Sequence, residues 1–427
     1  MRSVSPERRI RRATKWAKLT KGAVRVVFAK IACTLLVVGA TAQFQLPSTA
    51  VLLPQQSNAV VVGAERTGKY LPLLSRKRVA IVTNRTGRIG NVSLVDSLIG
   101  ANVQVVKVFA PEHGFRGDAD AGEHVANGKD ERTGLPVVSL YGNNKKPTPE
   151  QLKDVDVIVF DIQDVGVRFY TYISTLHYVM ESAAENGKEV IVLDRPNPNG
   201  FYVDGPLLEK NLSSFVGMHP VPLVHGMTIG EFARMINGES WLKQGKRCAL
   251  TVIPCEGYDH DTIYELPVRP SPNLPNMAAV YLYPSLGLFE GTLVSVGRGT
   301  DHPFQCIGYP GNPLGQYHFT PASMPGAKEP PHLGKECTGL DLREYGTFQS
   351  RMDRSLRLHW LIGMYKASPY GPGFFTPFFD RLAGTTRLRE LILAGDDEES
   401  IRAGWRPGVE GFLKMRAKYL LYPDQAR

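Results

Sequence analysis

The sequence predicts an α/β protein, with a Rossmann-like parallel sheet domain at residues 65–255 and a smaller α+β domain at residues 256–427. Two observations support this prediction. Short apolar runs, typical of strands buried on both faces, alternate with segments that have helix signals. Beyond residue 256 the chain is richer in proline, glycine and aromatic residues, and helical patterns return only near its end. The alternation predicts a doubly wound sheet between two layers of helices.

Five runs are predicted to be strands because they are short, apolar and rich in β-branched residues. They lie at residues 79–83, 103–109, 137–140, 155–162 and 190–193. Helices are predicted between and after these strands, at residues 94–99, 171–186, 386–393 and 409–419. Two further helix starts carry a capping box, Thr148 with Gln151 and Thr228 with Glu231, in which each side chain bonds the other residue's backbone N–H.

The first 42 residues are predicted to be a secretory signal peptide. A long basic segment precedes a mostly apolar stretch that ends in the small residues Ala40-Thr41-Ala42. The uninterrupted apolar run, residues 31–42, is shorter than the roughly 20 residues that span a bilayer, and a retained N-terminal anchor is the alternative. Residues 43–64 are predicted to be a linker. We therefore expect an exported protein, either periplasmic or extracellular.

The net positive charge of the chain lies in this predicted signal peptide, which we call the leader. It holds ten Lys and Arg and one Glu, whereas the remainder has 40 basic and 40 acidic residues. The high pI therefore does not indicate a nucleic-acid partner. The sequence has no P-loop, dinucleotide-binding glycine motif, zincin motif or serine-hydrolase motif, and no cofactor is predicted. Four cysteines remain after the leader, which fits either buried thiols or one disulfide.

Polar residues follow the predicted strands at several places. In a parallel sheet the carboxyl ends of the strands lie at one edge, where open α/β sheets bind their ligands. We therefore expect these residues to line a common crevice. They are Asn84, Glu112, Asp161, Asp164, Asp194 and Arg195.

The segment after residues 103–109 is the most crowded with ionisable groups: Glu112, His113, Arg116, Asp118, Asp120, Glu123 and His124. Glu112 is the first catalytic candidate, because a carboxyl group in a partly dry cleft can act as a general acid near neutral pH. Its alternative roles are an ion pair with Arg116 or a helix cap. His113 and Arg116 are candidates for substrate binding, and a structural role is the alternative for His113. The acidic residues at 118–124 fit no EF-hand spacing, so an ordinary acidic loop is the default interpretation.

A second group of candidates lies in residues 161–172. Asp161, Asp164, Arg168 and Tyr172 combine carboxylates, a cation and a flat ring, a mixture that suits sugar hydroxyls and the apolar face of a pyranose. The alternative is that the aspartates cap the following helix and the aromatic rings pack in the core.

The predicted second domain adds three candidates. Asn273 lies in the run Ser271-Pro272-Asn273-Leu274-Pro275, and Arg298 lies between Gly297 and Gly299. An arginine presented between two glycines suits bidentate capture of a carboxylate, although a structural ion pair is an equal alternative. Glu290 is a candidate for the second carboxylate of a glycosidase pair.

Several of these blocks also resemble one known family. FAPEHGFRGDADAGE, FDIQDVGVRFYTYISTL, VLDRPNPNG, HGMTIGEFARMING and YPSLGLFEGTLVSVGRGTDHPF are similar to the exo-β-N-acetylmuramidase family, over about residues 65–422. The resemblance implies hydrolysis of terminal β-1,4-linked N-acetylmuramic acid from the non-reducing ends of peptidoglycan fragments. It also implies a Rossmann-like domain whose active site faces the C-terminal domain, and it places the family's proposed catalytic glutamate at Glu112. The stretch 311–336 is shorter than in some relatives.

The sequence thus predicts a glycosidase that acts on peptidoglycan-derived oligosaccharides without a metal. Glu112 is the expected general acid, and its catalytic partner is open among Glu123, Asp161, Asp164, Asp194, Glu290 and the substrate's own 2-acetamido group. Arg298 or Arg168 is expected to bind the lactyl carboxylate. A non-catalytic cell-wall glycan-binding protein and a metal-dependent hydrolase using Glu112, His113, Asp118 and Asp120 are the competing hypotheses.

Overall fold

The computed structural model describes residues 59–112, 114–116 and 127–424. These residues belong to one compact unit. The predicted signal peptide and most of the predicted linker lie outside the described residues, as do His113, Asp118, Asp120, Glu123 and His124. No helix in the described ranges is long and apolar enough to cross a membrane.

Seven strands form the central sheet, in the spatial order β5-β6-β4-β1-β7-β8-β9. The strands of the protein, numbered along the chain, are β1 Val79–Thr83, β2 Arg88–Ile89, β3 Val92–Ser93, β4 Val105–Ala110, β5 Gly128–Lys129, β6 Pro136–Ser139, β7 Val157–Asp161, β8 Glu189–Leu193, β9 Ala249–Ile253, β10 Cys306–Tyr309, β11 Tyr317–Phe319 and β12 Cys337–Asp341. Six strands of the sheet are parallel and β5 is antiparallel to β6. Counted along the chain, the six parallel strands have the spatial order 3-2-1-4-5-6 of dinucleotide-binding Rossmann folds.

Helices cover this sheet and build the second part of the chain. They are α1 Thr67–Leu74, α2 Leu94–Gly100, α3 Pro149–Leu152, α4 Tyr172–Glu185, α5 Ile229–Gly238, α6 Met277–Leu286, α7 Ser350–Asp353, α8 His359–Ala367, α9 Phe379–Ala383, α10 Arg387–Ala394 and α11 Glu398–Arg416. A small antiparallel sheet, in the order β10-β12-β11, lies among the later helices. The predicted α/β class and the smaller second domain are confirmed.

The central strands are buried on both faces, and alternate side chains along a strand pack into two different apolar clusters. Ala80 and Val82 belong to one apolar cluster, whereas Val79 and Ile81 belong to the cluster on the other face. This division follows from the two-residue period of a strand. It explains why these strands read as continuous apolar runs in the sequence. Each fully buried Val or Ile contributes about 1.5–3 kcal/mol relative to exposure.

Local signals explain several boundaries. Both predicted capping boxes form, because Thr148 accepts from the Gln151 N–H and Thr228 from the Glu231 N–H. The prediction for the last helix was less accurate, and one parallel strand was missed. Helix α11 begins at Glu398 rather than near residue 409, because Asp397 caps its start, and it continues through Pro407. The strand β9 had not been predicted, and it completes the parallel sheet beside β8.

Candidate active site

A cavity of about 380 Å³ lies between the carboxyl edge of the central sheet and residues of the second part of the chain. Glu112 and the segment that opens α4 supply one side. Ser271, Asn273, Tyr283, Glu290 and Arg298 supply the other. The site therefore combines the β4 strand end with loops that follow residue 270, as expected for a ligand site in an open α/β sheet.

Glu112 lies directly after β4, in the turn that leaves the sheet. The Gly114 N–H donates to the Pro111 carbonyl at 3.1 Å, and Gly114 has a φ of +76°, a backbone conformation that glycine adopts without steric cost. The Thr171 hydroxyl donates to Oε2 of Glu112 at 3.1 Å. Thr171 immediately precedes α4, so this bond connects the β4 turn to the start of that helix.

Aromatic rings form much of the cavity wall. Tyr170 contacts both Tyr172 and Tyr283 edge to face, with ring centroids 4.9 and 5.8 Å apart. The Asn84 amide donates to the Tyr172 hydroxyl at 2.8 Å, and the Tyr170 hydroxyl donates to the Pro270 carbonyl at 2.8 Å. The rings are therefore held rigidly, and such flat surfaces suit the apolar face of a sugar.

A second carboxylate lines the same cavity. Arg298 donates from Nε and Nη2 to Oε1 of Glu290, at 2.9 and 2.8 Å, and its guanidinium lies 5.0 Å from the centre of the Phe304 ring. Gly297 and Gly299, on either side of Arg298, both have φ near +78°. A Cβ on Gly297 would lie 2.5 Å from the Cys306 sulfur, so glycine is required there.

The carboxylates of Glu112 and Glu290 both raise the pKa of the Tyr283 hydroxyl. Burial raises the pKa of Tyr283 well above its usual value, and the negative charges of Glu290, Glu112 and Asp164 raise it further, against the opposing charge of Arg298. Burial likewise raises the pKa of Tyr172, and Glu112 adds to the rise. Both tyrosines are therefore neutral hydrogen-bonding groups at physiological pH.

Asp164 is buried close to this wall and does not line the cavity. Its Oδ2 accepts the Gly166 N–H at 2.7 Å, while its Oδ1 has no hydrogen-bond partner within the described ranges. Burial raises the pKa of Asp164 to about 7. His225 has its Nε2 3.9 Å from Oδ2, and burial lowers the pKa of His225 to about 3, so this imidazole is neutral.

Asp161 and Asp194 were expected near substrate, but the structure gives both carboxylates partners inside the protein. Asp161 accepts from Nε and Nη2 of Arg195, at 2.6 and 2.9 Å. Asp194 accepts from the Thr228 hydroxyl and the Gly230 N–H, at 2.7 and 2.8 Å, at the start of α5. These strand-end carboxylates thus hold the sheet to its neighbouring segments.

Like Arg195, the two other arginines of the Rossmann-like domain that were expected at the site have structural contacts. Arg168 is fully buried and donates to four backbone carbonyls, those of Pro206, Val221, Leu382 and Ala383. Arg116 forms ion pairs with Asp130 and Asp96 and lines a different cavity. The assignment of the lactyl carboxylate to Arg168 is therefore withdrawn, because its guanidinium joins distant loops.

The cavity also contains side chains that were not singled out in the sequence. They include Tyr141, Phe215, Val216, Phe304 and Phe378, together with Tyr170, Thr171 and Tyr283. Tyr170 and Thr171 lie within residues 161–172, the second group of candidates, so the candidates beside them in the sequence could have indicated them. Phe215 and Phe378 come from irregular segments with no motif, and only the folded chain brings them to the site.

Within the described ranges, no three His, Cys, Asp or Glu side chains are arranged to hold a metal ion. Three of the four residues in the metal hypothesis, His113, Asp118 and Asp120, lie outside those ranges. The four cysteines after the leader are buried free thiols, and no disulfide links them.

Two family models together match most of the chain. Residues 79–278 match the N-terminal family described as exo-beta-N-acetylmuramidase NamZ, and residues 281–422 match its C-terminal counterpart. The chain is 41% identical over 375 residues to the peptidoglycan beta-N-acetylmuramidase NamZ of Bacillus subtilis (strain 168), a match that covers 83% of this chain and 89% of that protein.

Two solved structures from Bacteroides fragilis NCTC 9343, both titled as DUF1343 family proteins, are also similar. One has a TM-score of 0.81 and 47% identity, covering 86% of this chain and all of that one. The other has a TM-score of 0.70 and 32% identity, covering 85% of this chain and 99% of that one. These matches extend over nearly all of the described fold, and the resemblance found in the sequence is thereby confirmed: the chain belongs to the exo-β-N-acetylmuramidase NamZ family.

Proposed function

We propose that this protein is an exo-acting glycosidase that releases terminal β-1,4-linked N-acetylmuramic acid from the non-reducing ends of peptidoglycan fragments. The observation that carries the proposal is one cavity lined by two glutamates, an arginine and several tyrosines, in a chain 41% identical to a peptidoglycan β-N-acetylmuramidase. The aromatic wall suits the pyranose ring, and the carboxylates supply the proton chemistry that cleaves a glycosidic bond.

Glu112 is the proposed general acid. Its carboxyl proton passes to the glycosidic oxygen while the bond between that oxygen and C1 of the muramic residue breaks. Water then forms the new bond to C1 and gives its proton to a carboxylate of the site. When that carboxylate is Glu112, its acid form is restored directly; when it is the partner, Glu112 regains a proton from solvent. The Thr171 hydroxyl, 3.1 Å from Oε2, holds the Glu112 side chain in place.

Glu290 is the proposed second carboxylate. It lines the same cavity as Glu112, whereas Asp161, Asp164 and Asp194 do not. Both bonds from Arg298 fall on Oε1, and Oε2 makes no hydrogen bond among the described residues. Asp164 is assigned a positioning role behind Tyr170 and Tyr172, whose pKa values it helps to raise.

Arg298 is the proposed partner of the lactyl carboxylate that distinguishes muramic acid from glucosamine. Among the described residues that line the cavity, Arg298 is the one arginine. Its Nη1 is not used in the ion pair with Glu290. Tyr172 and Asn273 are proposed to contact the sugar, since both line the cavity.

The first experiment incubates the purified protein with the disaccharide of N-acetylmuramic acid and N-acetylglucosamine. We expect free N-acetylmuramic acid, and from longer glycans we expect that monosaccharide rather than internal fragments. Glu112→Gln is expected to lower kcat at least 100-fold with an unchanged circular dichroism spectrum. Tight glycan binding without any turnover would instead favour a non-catalytic binding protein.

A second experiment compares Glu290→Gln with Asp164→Asn. Glu290→Gln removes the carboxylate that is proposed to face the anomeric carbon, and we expect it to lower kcat at least 100-fold. Asp164→Asn removes a buried positioning group, and we expect it to lower kcat less than tenfold. The reverse order would exchange the two assignments. Nuclear magnetic resonance of the first anomer released distinguishes retention from inversion.

We also propose that the protein acts outside the cytoplasm, in the periplasm or beyond. The support is the basic and then apolar N-terminal sequence, which ends in Ala40-Thr41-Ala42. Fusion of residues 1–64 to an enzyme that is active only after export tests this proposal. A reporter that stays in the cytoplasm would contradict it.

A further inference from the structure

A tight turn at residues 214–217 carries two apolar side chains to the active-site cavity. The Ser214 N–H donates to the Gly217 carbonyl at 2.8 Å, and the Gly217 N–H donates to the Ser214 carbonyl at 3.0 Å. Phe215 and Val216 lie between these two residues, and both line the cavity. The tip of this segment, which we call the 214–217 turn, is therefore part of the cavity wall.

Neither turn formation nor core packing accounts for the phenylalanine at this tip. Tight turns favour glycine, proline, asparagine, aspartate and serine, each for a reason that a phenyl ring does not share. Val216 packs against the larger apolar cluster, whereas Phe215 is half-buried and belongs to no apolar cluster formed by the described residues. An aromatic ring presented to a cleft in this way indicates contact with a ligand.

The 214–217 turn is attached to a buried part of the fold. A Cβ on Gly217 would lie 3.3 Å from Cδ1 of Leu208 and 3.7 Å from Nε of Arg168, so the turn packs directly on both side chains. Arg168 donates at 2.8 Å to the carbonyls of Pro206 and Val221, which precede and follow the turn in the chain. The backbone that presents Phe215 is therefore held in place before a ligand binds, which lowers the entropic cost of binding.

The Phe215 ring also contacts two segments of the Rossmann-like domain. It stacks on Tyr178 of α4, with ring centroids 6.2 Å apart and an angle of 11° between the planes. The Lys145 Nζ, in the loop that follows β6, lies 4.9 Å from the centre of the Phe215 ring. These contacts place the ring beside the loop after β6.

The loop after β6 is also close to the proposed general acid. The Leu140 N–H donates to the Ala110 carbonyl at 2.7 Å, and Ala110 precedes Glu112 by two residues. Tyr141, the next residue of the loop, lines the cavity together with Glu112. Phe215 and Tyr141 thus belong to the side of the cavity that carries Glu112.

The position of the acid determines which sugar would lie on that side. A proton donor must lie beside the leaving oxygen, so the sugar on the reducing side of the cleaved bond lies on the Glu112 side of the terminal sugar. In the disaccharide of the proposed reaction that sugar is N-acetylglucosamine. Its ring substituents are equatorial, so both faces of the pyranose present C–H groups, which suit a flat aromatic ring.

We propose that Phe215, with Tyr141 beside it, forms a platform for the N-acetylglucosamine residue on the reducing side of the cleaved bond. This inference rests on the proposed function, because it takes Glu112 as the acid that protonates the leaving oxygen. Phe215 then contributes to the binding of the leaving sugar and not to the binding of the released N-acetylmuramic acid.

The test compares two constants measured with the full-length protein. They are KM for the disaccharide, which occupies both sugar positions, and Ki for free N-acetylmuramic acid as a competitive inhibitor, which occupies the terminal position alone. We expect Phe215→Ala to raise KM about three- to tenfold and to change Ki less than about twofold, because one stacking contact is lost. Phe215→Trp keeps a flat ring and should have a KM within about twofold of the wild type.

The matched control is Phe348→Ala. Phe348 is 74% exposed and is not among the described residues that line the cavity, so this variant should keep both wild-type constants. Circular dichroism establishes that each variant is folded. An equal rise of KM and Ki in Phe215→Ala would move the ring to the terminal sugar and overturn the proposal. An unchanged KM in the folded variant would overturn it as well.

Failure of the proposed function is a separate result, namely no turnover of the disaccharide by the wild type. Calorimetric titration then makes the same comparison with dissociation constants. A loss of affinity in Phe215→Ala for the disaccharide, without a loss for N-acetylmuramic acid, would still support the platform. Equal losses for the two sugars, or no loss for either, would overturn it.

Discussion

The hydroxyl of Thr171 donates a hydrogen bond to Oε2 of Glu112, across 59 positions of sequence. Thr171 immediately precedes α4, and Glu112 lies two residues after β4. The bond therefore connects the turn after β4 to the start of α4 and restrains the carboxyl group where it lines the cavity. A catalytic acid works only when it lies within hydrogen-bond reach of the leaving atom, so this restraint matters for the rate.

Removal of this hydroxyl should slow catalysis while substrate binding is retained. Thr171→Val keeps the shape of the side chain and loses the donor, and we expect kcat to fall about three- to tenfold with KM changed less than twofold. Thr171→Ser keeps the donor and should retain at least half of the wild-type kcat. Steady-state kinetics on the disaccharide measures both variants, and a wild-type kcat for Thr171→Val would show that Glu112 is placed by other contacts.

Arg298 should determine selectivity for muramic acid. Arg298→Gln removes the charge that is proposed to meet the lactyl group, so kcat/KM for a chromogenic muramide should fall about 10- to 100-fold. The corresponding N-acetylglucosaminide lacks that carboxylate, and its kcat/KM should fall much less. The ratio of the two constants is the measurement, because it cancels any general damage from the loss of the Glu290 pair. An unchanged ratio would place the lactyl group elsewhere.

Asp164 should make the protein less stable as the pH rises. Burial raises its pKa from 3.8 to about 7 in the folded state. Between these values the folded protein keeps a proton that the unfolded chain has lost, so the free energy of unfolding falls with increasing pH. Asp164→Asn cannot ionise, and its free energy of unfolding should decline less between pH 4 and 7.

Urea denaturation at a series of pH values measures this difference. Glu410→Gln, at an exposed position of α11, is the matched control and should follow the wild type. If Asp164→Asn and the wild type show parallel pH dependence, the carboxyl group is ionised in the folded protein throughout this range.

Arg168 should stabilise the fold rather than bind substrate. Its guanidinium satisfies carbonyls on two distant parts of the chain, Pro206 and Val221 on one side and Leu382 and Ala383 on the other. Arg168→Met leaves these buried acceptors without donors, at about 1–3 kcal/mol each before relaxation. We expect either a large loss of stability or failure to fold.

A milder variant keeps the Arg168 prediction testable. Arg168→Lys retains a cation with three donors, and it should unfold at lower urea concentration than the wild type while keeping the wild-type KM for the disaccharide. A KM raised more than fivefold in folded Arg168→Lys would return Arg168 to the substrate.

The sequence was sufficient for the fold class because local rules agree with the tertiary structure. In runs such as VAIVT and VIVFD, apolar residues occupy positions that face both sides of the sheet. This pattern is typical of a strand that is covered on both faces. The capping boxes at Thr148 and Thr228 involve residues three apart, so they are readable without tertiary information. The strand β9 was missed because its residues are only partly buried, and the ALTVI run is correspondingly weak.

The site was predicted less completely, for a physical reason. Glu112 and Asp161 both occupy strand ends in a parallel sheet, and nothing local separates them. Asp161 is neutralised by Arg195, a residue 34 positions away, whereas Glu112 lies at the cavity. Phe215 and Phe378 reach the cavity from segments without periodicity.

What the sequence determined by itself was the α/β architecture, the family and the edge of the sheet at which chemistry is expected, because periodicity, caps and ordered motifs are local. What only the tertiary structure decided was which polar groups at that edge serve the cavity and which hold the protein together. That choice depends on partners distant in sequence: Arg195 for Asp161, and four backbone carbonyls for Arg168. The burial and pairing of a charge are properties of the packed chain, so no local pattern encodes them.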